Sequence, residues 1–284
     1  MKLSYRNNQN SKAISAFWGK PIDGKIPYQI NAQSGDSTEV FIFDILGYPF
    51  NDINAMVRDI ASIKSDNITM RLNTPGGDII DTFALYQAFK NHPAKITVKV
   101  EALAASAGSV LMMAGDDIQA YSSSLIMIHN AWTFAAGNQY DFGEIADLLG
   151  KIDNNILEAY RARTKTGKHD LVDMMKAETW MTAKEAKEKG FIDTIIETGT
   201  SAKTSFDLSM FANVPDEFKV KAQNQESIDP TNIREIEKVL REAGLSKEKA
   251  KAVLARGWKA VGNIDIDSGD VEAAQKLMNR FKGI

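Results

Sequence analysis

Ala104-Ala105-Ser106-Ala107-Gly108-Ser109 stands between a β-branched run, Ile96-Thr97-Val98-Lys99-Val100, and an apolar one, Val110-Leu111-Met112-Met113-Ala114. Alternation in the first run predicts a strand. The second run, joined to the small residues before it, is long enough for a buried helix. Ser106 then falls at a strand-to-helix turn, where the positive end of a helix dipole biases its surroundings. Small neighbours let a substrate carbonyl approach the backbone closely. The same run also suits a plain helix-packing face, since small residues are common in cores. The rest of the chain separates these readings.

Upstream, Glu39–Leu46 (EVFIFDIL) reads as a strand, and Asn51-Asp52 as a helix cap before Ile53, Met56, Val57, Ile60 and Ile63 at helical spacing. Ile68–Leu72 is a second strand, ending in Asn73-Thr74-Pro75-Gly76-Gly77-Asp78 and followed by a helical pattern from Ile79 to Phe89. Strand, helix, strand, helix, strand and the serine helix form a βαβ series. Such a series predicts an α/β fold with a parallel sheet and crossover helices. Downstream, Asp117–Ala120 and Leu125–Ile128 are short strands, the second leading straight into His129. An amphipathic helix is expected from about Phe142 to Thr164, with Ile145, Leu148, Leu149, Ile152, Ile156, Leu157 and Tyr160 on its apolar side. Glu178–Thr182 opens a last unit, with a helix over Ala183–Lys189 and a strand over Phe191–Ile196.

The domain plan is a segment over 1–16, a main domain over 17–198, a linker over 199–229 rich in Ser, Thr, Asn and Gln, and a helical appendage over 230–284. The appendage reads as a hairpin: Ile233, Ile236, Val239 and Leu240 precede Gly244, and Ser246 caps a helix carrying Val253, Leu254 and Trp258. No internal repeat is visible. Of 284 residues, 44% are hydrophobic and 25% charged, as in globular proteins that fold in water. A net charge of −3 offers no general attraction to nucleic acid or anionic membranes. With no cysteine, disulfides, iron–sulfur clusters and zinc–thiolate sites are excluded. No apolar run reaches the length of a membrane span, and Met1–Asn10 lacks the apolar core of a signal peptide. A cytoplasmic protein is expected.

A serine hydroxyl is a weak nucleophile until a base takes its proton. His92 sits in a proline turn and His169 in a charged loop, Lys168-His169-Asp170, so both read as surface residues. His129 ends an apolar strand, where α/β folds place functional groups. An oxyanion hole needs two backbone N–H groups aimed at one point. Pro75-Gly76-Gly77 can supply one, glycine permitting the unusual dihedrals, and the N–H of Ala107 the other. Asp78 can cap the next helix at the same time.

Taken together, Asn73–Gly77 (NTPGG), Ala104–Gly108 (AASAG), Met127-Ile128-His129 and Trp180-Met181-Thr182-Ala183 with Ala186 resemble the ClpP family of serine peptidases. The resemblance covers about residues 17–197, in the family's order and with similar spacings. It implies a ClpP/crotonase-like fold, Ser106 as nucleophile, His129 as base, and Gly77 and Ala107 as the oxyanion hole. The family's third member is an aspartate, and Glu178 occupies its position here; Asp173 is the second choice. Ala107 replaces the family's usual methionine in a role that the backbone performs. Gly76, Ala136, Gly137 and Asn138 are expected to contact substrate, the last three by pairing with an extended peptide. Stacked rings of subunits, joined by the helix after His129, are also implied, with no metal or other cofactor.

The appendage resembles that of the ClpP-related head maturation proteases of tailed phages. It implies a substrate among capsid or scaffold proteins and action in the host cytoplasm or within proheads. Two other classes fit the fold: a catalytically silent assembly scaffold, and a crotonase-type acyl-CoA enzyme. The second has no need of a Ser106/His129 pair.

Overall fold

The strand before Ser106 runs from Lys95 to Ala105, five residues further than its alternating part suggests. Side chains alternate between buried and half-exposed up to Val100, but Ala102–Ala105 are all buried. A strand covered on both faces loses the two-residue rhythm that reveals it in sequence. Residues 28–32, 36–133, 135, 138–197, 208 and 211–215 are described in this computed structural model. They lie within one unit, Ile22–Lys219.

In chain order the elements are β1 (Tyr28–Ala32), β2 (Ser37–Ile42), α1 (Ile53–Ser62), β3 (Asn67–Thr74), α2 (Ile79–Lys90), β4 (Lys95–Ala105), α3 (Ala107–Met112), β5 (Asp117–Tyr121), β6 (Leu125–Ile128), α4 (Gln139–Arg161), α5 (Lys168–Lys176), β7 (Thr179–Thr182), α6 (Ala183–Lys189) and β8 (Thr194–Ile196). The main path of the sheet is β1-β2-β3-β4-β5-β8, parallel from β2 onward. The expected parallel sheet needs two amendments, because β1 pairs antiparallel with β2 and β7 antiparallel with β6.

The sheet forks at β4. Thr97–Val100 pair with Asp117–Ala120 of β5, whereas Leu103, Ala104 and Ala105 pair in parallel with Leu125, Ile126 and Met127 of β6. Two apolar clusters result. The larger joins the helices to the main sheet through residues such as Leu72, Leu85, Phe89, Val98, Leu111, Ile128 and Tyr160. The smaller covers the opposite face of the fork: Leu103, Ala105, Leu125 and Met127 meet Leu208, Phe211 and Val214. These last three fall inside the stretch expected to be a linker, so that part of it is docked. Burial of three apolar side chains is reason enough for a polar-looking segment to stay in place.

Two further departures concern helices. Lys168-His169-Asp170, expected as a charged loop, opens α5, whose Leu171 and Met175 are buried one turn apart. The long helix begins at Gln139, and its buried side chains, Ile152, Ile156, Leu157, Ala159 and Tyr160, all lie in the second half. In the first half Tyr140, Phe142 and Leu148 are exposed. The appendage over 230–284 lies outside the described residues.

Candidate active site

The fork brings three chain positions to one end of the sheet. Ala105 pairs with Met127 in parallel strands, so Ser106 and His129 emerge side by side just beyond β4 and β6. Thr179 pairs with Ile128, so Glu178, the residue before β7, falls opposite His129. Ligand and catalytic groups commonly gather at the carboxyl ends of parallel strands.

Ser106 has φ 54° and ψ −127°, a left-handed conformation unusual for a residue with a side chain. Such a backbone costs about 1–3 kcal/mol and persists only where the surroundings over-determine it. Here they do. The Ser106 N–H donates to the Met127 carbonyl at 3.0 Å, and its carbonyl accepts from the Ser109 hydroxyl at 2.6 Å. The Ser109 oxygen also lies 2.8 Å from the Tyr160 hydroxyl of α4. Since Ser109 gives its proton to Ser106, the Tyr160 O–H donates to Ser109. Complete burial holds that phenol well above its ordinary pKa, so it keeps the proton it donates. The turn presents the Ser106 hydroxyl to His129, whose Nε2 lies 2.7 Å from Oγ.

Over the serine lies the Pro75-Gly76-Gly77 loop. A Cβ added at Gly76 would meet Ser106 Cβ at 2.7 Å, Ala105 O at 2.8 Å and Ala107 N at 3.1 Å. One added at Gly77 would fall 2.0 Å from the Leu46 carbonyl. Both glycines have positive φ, 103° and 150°. Leu46 pins the loop from behind, its N–H donating to the Gly76 carbonyl and its own carbonyl accepting from Asp78 N–H. Buried Asn51 in turn fixes the Leu46 turn, donating to Ile45 O and accepting from Gly47 N–H. Ala107 is the first residue of α3, so its N–H has no intrahelical acceptor and faces the loop.

His129 is largely buried, and desolvation pushes its imidazole below the ordinary pKa. The negative charges of Glu178 and, to a smaller extent, Asp153 pull the other way. A lowered value keeps Nε2 unprotonated and able to accept near neutral pH. Glu178, at φ 48°, acts on it through charge. Its carboxylate accepts from Asn213 N–H at 2.7 Å, Ala212 N–H at 3.1 Å and Trp180 Nε1 at 3.3 Å. Asp173 is exposed on α5, and the carboxylates whose charge acts on His129 are those of Glu178 and Asp153. Asp153 was not anticipated. It accepts from Ala131 N–H at 2.7 Å and from Asn130 Nδ2, and so fixes the turn that follows His129.

The site thus holds a hydroxyl 2.7 Å from an imidazole nitrogen, beneath a loop that only glycine can build. The Clp protease family model matches residues 51–199. The chain belongs to the Clp protease family. The ATP-dependent Clp protease proteolytic subunit of Deinococcus radiodurans is 30% identical over 150 residues, 51% of this chain and 74% of that protein. Subunit 1 of Protochlamydia amoebophila is 27% identical over 185 residues, 62% of this chain and 89% of its own length.

Within this Clp protease domain the remaining expected residues fall as follows. Gly76 has both backbone groups engaged, its N–H donating to Thr74 Oγ1 and its carbonyl accepting from Leu46, so its contribution is the absence of a side chain. Asn138 is the N-cap of α4: Oδ1 accepts from Tyr140 and Asp141 N–H, while its own N–H donates to the Asp141 carboxylate. That N–H is therefore engaged within the helix cap. Ala136 and Gly137 lie outside the described residues. His169 is exposed, and His92 accepts from Ala94 N–H in its turn. Among the described residues no three His, Asp or Glu side chains group to hold a metal, and no helix is long and apolar enough to cross a membrane.

Proposed function

We propose that the chain is a serine endopeptidase acting through Ser106, His129 and Glu178. The observation that carries this reading is the 2.7 Å contact of His129 Nε2 with the Oγ of a left-handed Ser106. His129 takes the hydroxyl proton as Oγ attacks the substrate carbonyl carbon. The oxyanion that forms is met by the N–H groups of Gly77 and Ala107. The imidazolium then protonates the leaving amine, and water activated by the same histidine hydrolyses the acyl-enzyme. Glu178 stabilises the transient imidazolium by its charge. A fluorophosphonate probe should label Ser106, as located by peptide mapping, and the label should be lost in His129→Ala. An assembled, folded protein that takes no label would favour the silent scaffold.

The active form is a ring of subunits, as family membership implies, and α4 is its contact element. Tyr140, Phe142 and Leu148 are large apolar side chains left exposed on α4 in the single chain. Native mass spectrometry reads the subunit number directly, and Leu148→Glu should lower it. The substrate is a capsid or scaffold protein of a tailed phage, a reading supported by the resemblance of the segment from Ile233 to Trp258 to the appendage of head maturation proteases. Co-expression with the capsid and scaffold proteins of a tailed phage should yield a shortened product that Ser106→Ala does not make.

A further inference from the structure

The family match ends at residue 199, yet the acid of the site has its strongest partners beyond it. Asn213 N–H and Ala212 N–H each donate to one Glu178 oxygen, and Asn213 Nδ2 donates to the Ala177 carbonyl at 2.9 Å. Phe211, one residue earlier, stands edge-on to the His129 ring at 5.8 Å and to the Trp180 indole at 5.6 Å. Trp180 itself donates to Glu178. The segment therefore touches base and acid together.

Its attachment is apolar. Leu208, Phe211 and Val214 are 2%, 8% and 5% exposed, packed on Leu103, Ala105, Leu125 and Met127 of the strands that end at Ser106 and His129. Burial of three apolar side chains favours the docked position. We propose that Phe211, Ala212 and Asn213 are positioning residues of the peptidase, holding the Glu178 carboxylate and shielding the His129 imidazole, so that residues outside the Clp protease domain complete its active site. This rests on the serine peptidase reading for its catalytic consequence, though not for its geometry.

The two contacts have separable effects. Phe211 excludes water from His129, whose charged surroundings are Glu178 from the turn before β7 and Asp153 from α4, with the neutral Ser106 hydroxyl after β4. Removing the ring lets water reach the imidazole and returns its pKa upward toward the ordinary value. The backbone donors of residues 212 and 213 fix where the carboxylate sits, which is an orientation effect expressed in kcat.

The test uses the full chain carrying Phe211→Ala, Phe211→Leu, Asn213→Pro or Asn213→Ala, with melting and ring assembly checked for each. His129 is titrated by NMR on histidine-labelled protein, and hydrolysis and Ser106 labelling are followed against pH. Phe211→Ala should raise the His129 midpoint and slow labelling on the order of tenfold or more, with Phe211→Leu restoring most of both. Asn213→Pro, which deletes the backbone donor, should lower kcat with little change in KM, while Asn213→Ala keeps the donor and most of the rate. Folded Phe211→Ala with an unmoved His129 midpoint, or Asn213→Pro with undiminished kcat, would overturn the proposal. Should the unmodified protein take no label, the peptidase reading fails instead, and the NMR midpoint still decides whether the segment governs His129.

Discussion

The two flanks of His129 are built on different plans. On the serine flank, most supports come from the ends of neighbouring elements: β3 gives the glycine loop, β4 leads into Ser106, α3 begins with the Ala107 N–H and α4 gives the Tyr160 hydroxyl. On the acid flank, Glu178 stands before the four-residue antiparallel strand β7 and is held by residues more than thirty positions away, over a small second core. The first flank is fixed by hard contacts, with no space for an added Cβ at Gly76 or Gly77. The second is fixed by three hydrogen bonds and a ring. Close packing tolerates almost no displacement, whereas a hydrogen-bonded carboxylate can be weakened by degrees.

The largest effect should come from Ser106→Ala, which removes the hydroxyl proposed as nucleophile and should abolish peptide hydrolysis and labelling. Relief from the left-handed backbone is not expected, since alanine also carries a Cβ, so the melting temperature should stay close to that of the parent. Gly76→Ala comes next. The new methyl would overlap Ser106 Cβ and Ala105 O, and the rate should fall on the order of a hundredfold or more with reduced thermal stability. A Gly76→Ala protein of full activity would refute the picture of a rigid serine flank.

On the other flank the losses should be graded. Glu178→Ala should cost about tenfold to a thousandfold in kcat, and Asp173→Ala almost nothing; the reverse order would move the acid. The pH profile sharpens this. Desolvation already holds His129 below its ordinary value, so labelling should decline only as pH falls below about 6.5. Glu178 raises that value, so Glu178→Gln should shift the acid limb to still lower pH while slowing the reaction. An acid limb that moves to higher pH would contradict the electrostatic role. The smallest change is expected from Tyr160→Phe, which deletes one buried hydrogen bond to Ser109 and should cost about 1 kcal/mol of stability, read from denaturant unfolding, with at most a few-fold loss of rate.

The serine flank is the one the sequence makes legible. The residues that form it are consecutive, their types are constrained by steric needs, and alternation or capping marks the elements on either side. Asp52 and Asp78 cap helices as expected, and α6 has the anticipated bounds. The acid flank is legible only at Glu178 itself. Leu208, Phe211 and Val214, three apart among Ser, Asn and Pro, carry too little periodicity to announce a docked segment. Lys168-His169-Asp170 hides the buried pair Leu171 and Met175 and makes α5 read as a loop. Ala102–Ala105 hide the end of β4 for the opposite reason, being uniformly apolar where a strand signal needs contrast. Tyr160 reads as one more member of an apolar stripe, because nothing in its spacing tells that its hydroxyl meets Ser109.

The bond between Glu178 and Asn213 also sets an order in time. Ribosomes release the chain from the N-terminal end, so Ser106, His129 and Glu178 are all made before the donor 35 residues further on. At about 5–20 residues per second, the newborn chain spends roughly 2–7 s with its acid unclamped and His129 bare of Phe211. Translation thus delivers Ser106, His129 and Glu178 first and the segment that packs on them last.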